Sequence, residues 1–380
     1  MFLPDYNGNS IVNLMSSIRA MYGSEYLYPQ LGNFDIEPFS DKNIIFIVID
    51  GLGYDFLMEY GDNSFLKNHL HRKMTSVFPS STASAFISLM TGVAPQQHGS
   101  TGWFIFLNET GILTSILPFL TKAGGIPQNN VPFSDVIDQD SVFMGLGASS
   151  FCILHEDYIN SQCSGVITRG AKRKSYSDMN GFVGKIENAL DFGADRKFIF
   201  AYWDQLDKIS HEKGVKSQET IEHFAMVDKA VSKLSALSAK RNGILIVTSD
   251  HGMIDSSEME TVRLSDHPDL KEILAVPLSG EPRVGYCYVR PGMVMDFEEY
   301  VLKNLCEYCD MFKSSELIKK GFFGLFEPNN KLNKRIGDYT LITKKKYMIR
   351  DVLSGEKYKE FKGIHGSLSS EEMFVPLIVF

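Results

Sequence analysis

Acidic residues and histidines lie at the ends of several apolar segments of this chain. Each one alone has an ordinary explanation, because Asp and Gly at the end of a strand usually form a turn. Their repetition favours chemistry instead, since mixed Asp and His ligation suits zinc best, with manganese next. Three carboxylates and three imidazoles are enough ligands for two metal ions. These residues are Asp50, Asp207, His211, Asp250, His251 and His365.

The segments that must position these side chains alternate between two patterns. Short runs rich in β-branched residues predict buried strands, and longer runs with helical periodicity predict helices. The predicted strands are residues 43–50, 141–147, 197–203, 244–250 and 371–380, and the predicted helices are residues 80–92, 181–193 and 217–243. This order predicts an α/β fold, a three-layer sandwich with a mostly parallel central sheet and helices on both faces. Sites in such folds form at the carboxyl ends of the strands, where residues distant in sequence meet.

A change of pattern after residue 262 predicts a small inserted cap. Residues 263–350 are more polar and irregular, with GEPRVGYCYVR (280–290) as one predicted strand and turn chemistry in FEPNNKLNKRIGD. The apolar run at the C-terminus then returns to the pattern of a buried strand. We therefore expect a catalytic core of residues 1–262 and 351–380 and a cap subdomain of residues 263–350.

The composition limits the classes of function. The 380 residues carry a net charge of −8 without a cluster of Lys and Arg, which argues against binding of a nucleic acid polymer. The five cysteines, an odd number in a long chain, do not resemble a disulfide framework and indicate a reducing compartment. The sequence shows neither a signal peptide pattern nor a run as long as a membrane span, so we expect a cytoplasmic protein without a membrane partner.

Four blocks of sequence, in order along the chain, resemble the alkaline phosphatase superfamily. They are VIDGLGYD, SVFPSSTASAFISLMTGVAPQQHG, YWDQLDKISH with VTSDHGM, and GIHGSLSSEEMFVPLIV. The similarity is to the branch of type I phosphodiesterases and nucleotide pyrophosphatases, and it covers roughly residues 43–147, 197–255 and 363–380. Together the four blocks are specific, whereas IDG or HG alone would carry no information.

The resemblance implies a role for each candidate residue. Asp207, His211 and His365 would hold one metal ion, and Asp50, Asp250 and His251 would hold the other together with the hydroxyl of the nucleophile. The family nucleophile is a Thr or Ser at a helix start after a Pro. In PSSTAS we assign it to Thr82, because Ser80 and Ser81 are better placed as N-cap residues. The implied reaction is hydrolysis of a phosphoester through a phosphothreonine intermediate.

One position departs from the family pattern. Family diesterases often have an Asn about twenty residues after the nucleophile, bound to a phosphoryl oxygen, and an ungapped count places Trp103 there. Trp103, Phe104 and Phe106 are candidates for a pocket that stacks on a base, or equally for a packed edge of the core. The departure leaves the preference for diesters open.

Three functions remain as hypotheses. The first is a two-metal phosphodiesterase or nucleotide pyrophosphatase that acts on a small phosphoester such as a nucleotide. The second is a phosphomonoesterase, phosphonate hydrolase or phosphotransferase on the same core, which a free Lys or Arg from the cap would favour. The third is a metal-binding protein without catalysis, and the presence of every expected ligand argues against it.

Overall fold

The computed structural model describes residues 1–127, 131–356 and 359–380. The strands are β1 Asn43–Ile49, β2 Leu70–Thr75, β3 Phe104–Leu107, β4 Ile112–Ser115, β5 Leu120–Thr121, β6 Ser149–His155, β7 Lys172–Tyr176, β8 Lys197–Trp203, β9 Gly243–Thr248, β10 Ile254–Asp255, β11 Thr261–Arg263, β12 Ser279–Glu281, β13 Val284–Cys287, β14 Cys309–Lys313, β15 Tyr339–Thr343, β16 Met348–Arg350, β17 Gly363–Ile364 and β18 Phe374–Val379. The helices are α1 Ile11–Met21, α2 Tyr54–Tyr60, α3 Phe65–Asn68, α4 Thr82–Thr91, α5 Pro95–His98, α6 Phe133–Val136, α7 Gln162–Ile167, α8 Met179–Leu190, α9 Gln205–Lys213, α10 Gln218–Ala239, α11 Pro268–Ile273, α12 Val294–Asn304, α13 Ser314–Lys319, α14 Leu332–Arg335 and α15 Ser370–Met373.

The central sheet has seven strands in the order β2-β18-β9-β1-β8-β6-β7. Strands β9, β1, β8, β6 and β7 pair in parallel, whereas β18 runs antiparallel to both β9 and β2. The sheet is therefore mixed. The predicted α/β class is confirmed, and the three-layer sandwich with a mostly parallel sheet stays a prediction.

Both faces of the central sheet are buried. The alternating side chains of β1 enter two separate apolar clusters, with Ile44, Phe46 and Val48 in one and residues 45, 47 and 49 in the other. Helices α1 and α4 contribute to the first cluster, and α8 and α10 contribute to the second. This burial explains why β1 reads as an uninterrupted apolar run rather than an alternating one.

A second sheet of seven strands has the order β14-β15-β13-β12-β3-β4-β5, and all its pairs are antiparallel. It joins strands from residues 104–121 to strands from residues 279–343, so it extends beyond the predicted cap of residues 263–350. The sequence did not indicate this sheet, because its short strands come from distant parts of the chain. The division into core and cap stays a prediction.

Two predicted strands differ from the structure. Residues 141–147 form turns, and the strand begins at Ser149 instead. Gly145 and Gly147 there have φ angles of 77° and 62°, a left-handed conformation that a strand excludes. Residues 280–290 do not form one strand, because the turn at Pro282 separates β12 from β13 and makes them an antiparallel pair. Among the described residues, no helix is long and apolar enough to cross a bilayer.

Candidate active site

The acidic residues of the site stand at one edge of the central sheet. Asp50 directly follows β1, and Asp250 with His251 comes two residues after β9. Because β1 and β9 are adjacent and parallel, their carboxyl ends lie side by side. The Gly51 N–H donates to Asp250 Oδ1 at 3.3 Å, and the Tyr202 hydroxyl donates to Asp250 Oδ2 at 2.9 Å.

Helix α9 and the loop after β17 bring the remaining candidate ligands to the same edge. Asp207 and His211 lie one turn apart on α9, with His211 Nε2 at 3.4 Å from Asp207 Oδ2. His365 follows β17, and its Nε2 atom lies 3.8 Å from Asp207 Oδ1. The predicted helical spacing of Asp207 and His211 is therefore present.

The structure gathers the candidate ligands into two adjoining groups. Ligand atoms of Asp50, Asp250 and His251 all lie within 4.8 Å of one another, as do those of Asp207, His251 and His365. His251 belongs to both groups, and its ring stacks on that of His365 with 3.7 Å between centroids. His211 joins the second group through Asp207.

Thr82 is the first residue of helix α4, directly beside these groups. Ser81 precedes it in an extended conformation, which turns the chain into the helix. Thr82 Oγ1 lies 3.0 Å from His251 Nε2, while Asp50 Oδ1 lies 3.4 Å from the same nitrogen. The proposed nucleophile and its proposed metal ligands are therefore in contact, although the sequence separates them by up to 169 residues.

Each of the three candidate histidines has Nδ1 beside a backbone carbonyl. Nδ1 of His211 lies 2.6 Å from Gly363 O, and Nδ1 of His251 lies 3.1 Å from Gly252 O. Nδ1 of His365 lies 3.3 Å from Ser80 O. Since a carbonyl can only accept, the proton of each neutral ring belongs on Nδ1. The lone pair on Nε2 then points toward carboxylates, an arrangement that fits a cation between them.

The buried carboxylates support the same fit. Among the described residues, Asp50 Oδ1 and Asp207 Oδ1 are buried without a hydrogen-bond donor. Burial, followed by the charges of Asp250 and Asp207, raises the pKa of Asp50 well above its usual value. Burial and the neighbouring imidazoles lower the pKa of His365, which keeps that ring neutral as a metal ligand must be. The donor set and its unsatisfied oxygens therefore suit divalent cations.

A hydrogen-bond network behind α4 holds the first turn of this helix. Burial lowers the pKa of His98 to about 3, so the ring is neutral. Its Nδ1 accepts from the Ser100 N–H at 3.0 Å, which leaves Nε2 to donate to Ser88 Oγ at 2.9 Å. The Ser88 hydroxyl donates to Ser84 O, and the Ser100 hydroxyl donates to Ala83 O. Both chains of bonds end just after Thr82.

A cavity of about 860 Å³ opens beside the site. Its wall includes Thr82, and it also includes Trp103 and Phe104, two of the three candidates for a base-stacking pocket. Phe106 instead packs against Tyr288 with ring centroids 5.3 Å apart. Asp204, also in the wall, pairs with Lys208 at 2.6 Å and is not part of either ligand group.

Glu281 is a wall residue that sequence reasoning missed. Its Oε1 atom accepts the Trp103 N–H at 2.6 Å, and only 7% of the residue is exposed. Burial raises the pKa of Glu281 to about 7. The sequence gives no signal for this placement, because Glu281 reaches the site through the pairing of β12 with β3, which no local pattern indicates.

The fold and the site together define a member of the alkaline phosphatase superfamily. Residues 44–368 match the family model for type I phosphodiesterase / nucleotide pyrophosphatase, so the chain belongs to this family, as the sequence blocks predicted. Murine ectonucleotide pyrophosphatase / phosphodiesterase 5 has a similar structure, with a TM-score of 0.68, 18% identity and coverage of 88% of this chain and 87% of that chain. Phosphonoacetate hydrolase from Sinorhizobium meliloti 1021 gives a TM-score of 0.66 with 17% identity, over 89% of this chain and 90% of that chain.

Two curated proteins resemble parts of the chain in sequence. GPI ethanolamine phosphate transferase 3 from Schizosaccharomyces pombe is 24% identical over 220 residues, which is 56% of this chain and 22% of that protein. Ectonucleotide pyrophosphatase/phosphodiesterase family member 3 from Rattus norvegicus is 24% identical over 240 residues, 58% of this chain and 26% of that protein. The chain thus spans about a quarter of the length of these relatives.

Proposed function

We propose that this protein is a two-metal phosphodiesterase or nucleotide pyrophosphatase whose nucleophile is Thr82. The contact between Thr82 Oγ1 and His251 Nε2, at 3.0 Å inside the paired ligand groups, carries the proposal. A hydroxyl is a weak nucleophile at neutral pH, so it needs a neighbour that favours its deprotonated form. The family membership supports the same reaction class.

Two divalent ions, zinc or manganese, would be held by the residues already in contact. Asp207, His211 and His365 would hold one ion, and Asp50, Asp250 and His251 would hold the other with the Thr82 hydroxyl. When bound, the ions lower the pKa of the hydroxyl and offset the charge of the phosphoryl oxygens and the leaving group.

The chain itself supplies the nucleophile and its orientation. The Thr82 hydroxyl gives its proton to solvent, and its Oγ atom attacks phosphorus in line with the leaving oxygen. The bond from phosphorus to that oxygen breaks as the phosphothreonine forms, and the departing oxygen takes up a proton from solvent. Water then attacks the same phosphorus, and Thr82 regains its proton as phosphate or its monoester departs. The free amides at the start of α4 would face the phosphoryl oxygens of a substrate on Thr82, and the helix dipole favours negative charge there. The hydrogen bonds from His98 and Ser100 keep this turn in place.

The substrate we propose is a small phosphoester such as a nucleotide. The cavity beside Thr82 has room for a nucleoside, and Trp103 and Phe104 offer aromatic surface in its wall. A related murine structure is an inactive variant in complex with AMP, which supports a nucleotide for this chain as well.

A phosphomonoesterase, phosphonate hydrolase or phosphotransferase on the same core is the second candidate. Trp103 at the place of the family Asn and the likeness to phosphonoacetate hydrolase favour it. Against it, two arginines of the predicted cap form ion pairs with carboxylates and are not free to bind a dianion: Arg283 pairs with Glu372 and Arg335 with Glu109, each at 2.8 Å. Lys271 likewise lies 3.3 Å from Asp351.

The first test compares two esters with the same leaving group. Zinc-loaded protein is assayed with p-nitrophenyl thymidine 5′-monophosphate and with p-nitrophenyl phosphate, next to chelator-stripped protein. We expect zinc-dependent hydrolysis that is faster on the diester. Faster cleavage of the monoester would select the second candidate, and turnover that survives metal removal would contradict both.

Thr82→Ala tests the nucleophile. Because the attacking atom is lost, we expect turnover to fall by about 10³-fold or more, with metal binding and the melting temperature largely kept. Thr91→Ala is a matched control, since Thr91 is the last residue of the same helix and loses the same two atoms. Near wild-type rates for Thr82→Ala would contradict the assignment.

A further inference from the structure

Glu281 presents a carboxylate to the cavity close to the nucleophile. It lines the same cavity as Thr82, Trp103 and His365. A Cβ atom on Gly366, the residue after His365, would lie 3.2 Å from the Glu281 side chain. The hydroxyl of Ser81, which directly precedes Thr82 in the chain, also interacts with the Glu281 carboxyl. These contacts place Glu281 between the second sheet and the metal-ligand groups.

In the described part of the chain, no basic side chain neutralises Glu281. Its carboxyl accepts from the Trp103 N–H at 2.6 Å and interacts with the Ser81 hydroxyl, and no ion pair of the described residues involves it. Arg283, two residues away, donates to Glu372, Thr343 and Tyr347 instead. Glu372 is thus paired with a cation, whereas Glu281 is not. The negative charge of Glu281 therefore remains without a neutralising partner where it faces the cavity.

The lysines in the cavity wall form ion pairs with carboxylates other than Glu281. Lys208 lies 2.6 Å from Asp204, and Lys359 lies 3.4 Å from Glu212. Lys122 lies 3.9 Å from Glu356 and donates to the Asp351 carbonyl at 2.6 Å. These lysines therefore add little net positive charge that would offset Glu281.

The net charge of the site determines how strongly it attracts an anionic substrate, so the charge of Glu281 affects substrate binding. Two divalent ions against Asp50, Asp207 and Asp250 leave one net positive charge, which matches a diester monoanion. An ionised Glu281 would offset that positive charge, so the metal ions, their ligands and Glu281 together would exert no net attraction on the second charge of a monoester dianion. Two charges several ångströms apart near a protein surface interact strongly enough to change the affinity for a charged ligand about tenfold.

We propose that Glu281 determines the ester specificity of the site, because its carboxylate repels the second negative charge of a phosphate monoester and so favours diesters. The inference rests on the proposed function and adds a specificity residue to it. Discrimination of this kind works by a repulsive element against the wrong substrate rather than by an added contact to the right one.

The test uses Glu281→Gln, which keeps the shape and an oxygen acceptor for the Trp103 N–H. Zinc-loaded wild type and variant are assayed at pH 8.5 with methyl p-nitrophenyl phosphate, a monoanion, and p-nitrophenyl phosphate, a dianion with the same leaving group. We expect kcat/KM for the dianion to rise about tenfold or more in the variant, and kcat/KM for the monoanion to change less than about twofold. Glu316→Gln, on an exposed face of α13, controls for the change in net charge.

A second readout does not depend on turnover. Binding of inorganic phosphate to zinc-loaded protein, measured by calorimetry, is expected to tighten about tenfold in Glu281→Gln, and binding of dimethyl phosphate is expected to stay within about twofold. Equal changes for both anions, or none, would overturn the inference and leave Glu281 as a support for the Trp103 backbone. Wild type that cleaves neither ester would instead contradict the proposed function, so the two failures are distinguishable.

Discussion

Two buried clusters of charged residues in this protein are built in opposite ways. Arg283 and Glu372 form a closed pair, in which two guanidinium nitrogens donate to the two carboxylate oxygens at 3.0 and 2.8 Å. The Ser367 N–H donates to the same carboxylate at 2.9 Å. The ligand groups around Asp50 and Asp207 instead leave buried oxygens without donors among the described residues. The first cluster is complete within the chain, whereas the second has buried oxygens that a cation could bind.

The pKa directions follow this difference. Burial alone would raise the pKa of Glu372, but the Arg283 charge and the hydrogen bonds outweigh it and lower the pKa. At Asp50, burial and the neighbouring carboxylates act in the same direction and raise the pKa. Complete burial therefore does not fix the charge state of an acid; the partners inside the protein do.

Breaking the closed pair is the largest effect that we expect on stability. Arg283→Met leaves Glu372 buried without its cation and should lower the free energy of unfolding by about 3–5 kcal/mol, measured by urea denaturation at neutral pH. Lys216→Ala, at an exposed pair with Glu59, should change it by less than about 1 kcal/mol. Since the folded-state pKa of Glu372 is lowered, the deficit of Arg283→Met should shrink as the pH falls below the usual value of 4.5. A cost equal to that of Lys216→Ala would show that the pair does not stabilise the fold.

Binding of a cation to the ligand groups around Asp50 and Asp207, which we call the open cluster, should have the next largest effect on stability. Zinc at about 100 times its dissociation constant should stabilise the stripped protein by about 2.7 kcal/mol, because it binds the folded state alone. The melting temperature in the presence of chelator and of added zinc measures this difference. His211→Ala should reduce the shift, whereas His69→Ala, whose ring contacts Phe65 and Phe380 away from the site, should keep it. A shift that His211→Ala leaves unchanged would exclude His211 as a ligand.

Local sequence patterns account for the side of the site that belongs to the central sheet. Asp50, Asp250 and His251 follow apolar runs whose β-branching and length identify them as strands, and parallel pairing then brings their ends together. Asp207 and His211 follow from the helical repeat. The family resemblance adds Thr82 and His365, for which spacing alone gave only a helix start and a loop.

The other side of the site depends on pairing that no local pattern encodes. Glu281 reaches the cavity because β12 pairs with β3, at Gly280 and Phe104, from segments far apart in the chain. Likewise, Arg283 and Glu372 form an ion pair although 89 residues separate them in the sequence. A period of two residues identifies a strand but not its partner, so the second sheet and both buried glutamates could not be predicted from the sequence.

Removing one carboxylate from the open cluster should have the smallest effect on stability. It is also the sharpest test of the difference between this cluster and the Arg283–Glu372 pair. In metal-free protein, Asp50→Asn should raise the free energy of unfolding by about 1–3 kcal/mol, since it deletes a buried acid with an unsatisfied oxygen. Because the pKa of Asp50 is raised in the folded state, the wild type loses stability as the pH rises above the usual pKa of this carboxyl. The gain should therefore be largest at high pH and should shrink as the pH falls and the wild-type carboxyl becomes protonated. Urea denaturation with chelator at several pH values measures it, with the exposed Asp41→Asn as the control. If Asp50→Asn destabilises the metal-free protein as Arg283→Met does, the cluster is a structural network rather than a site prepared for a cation.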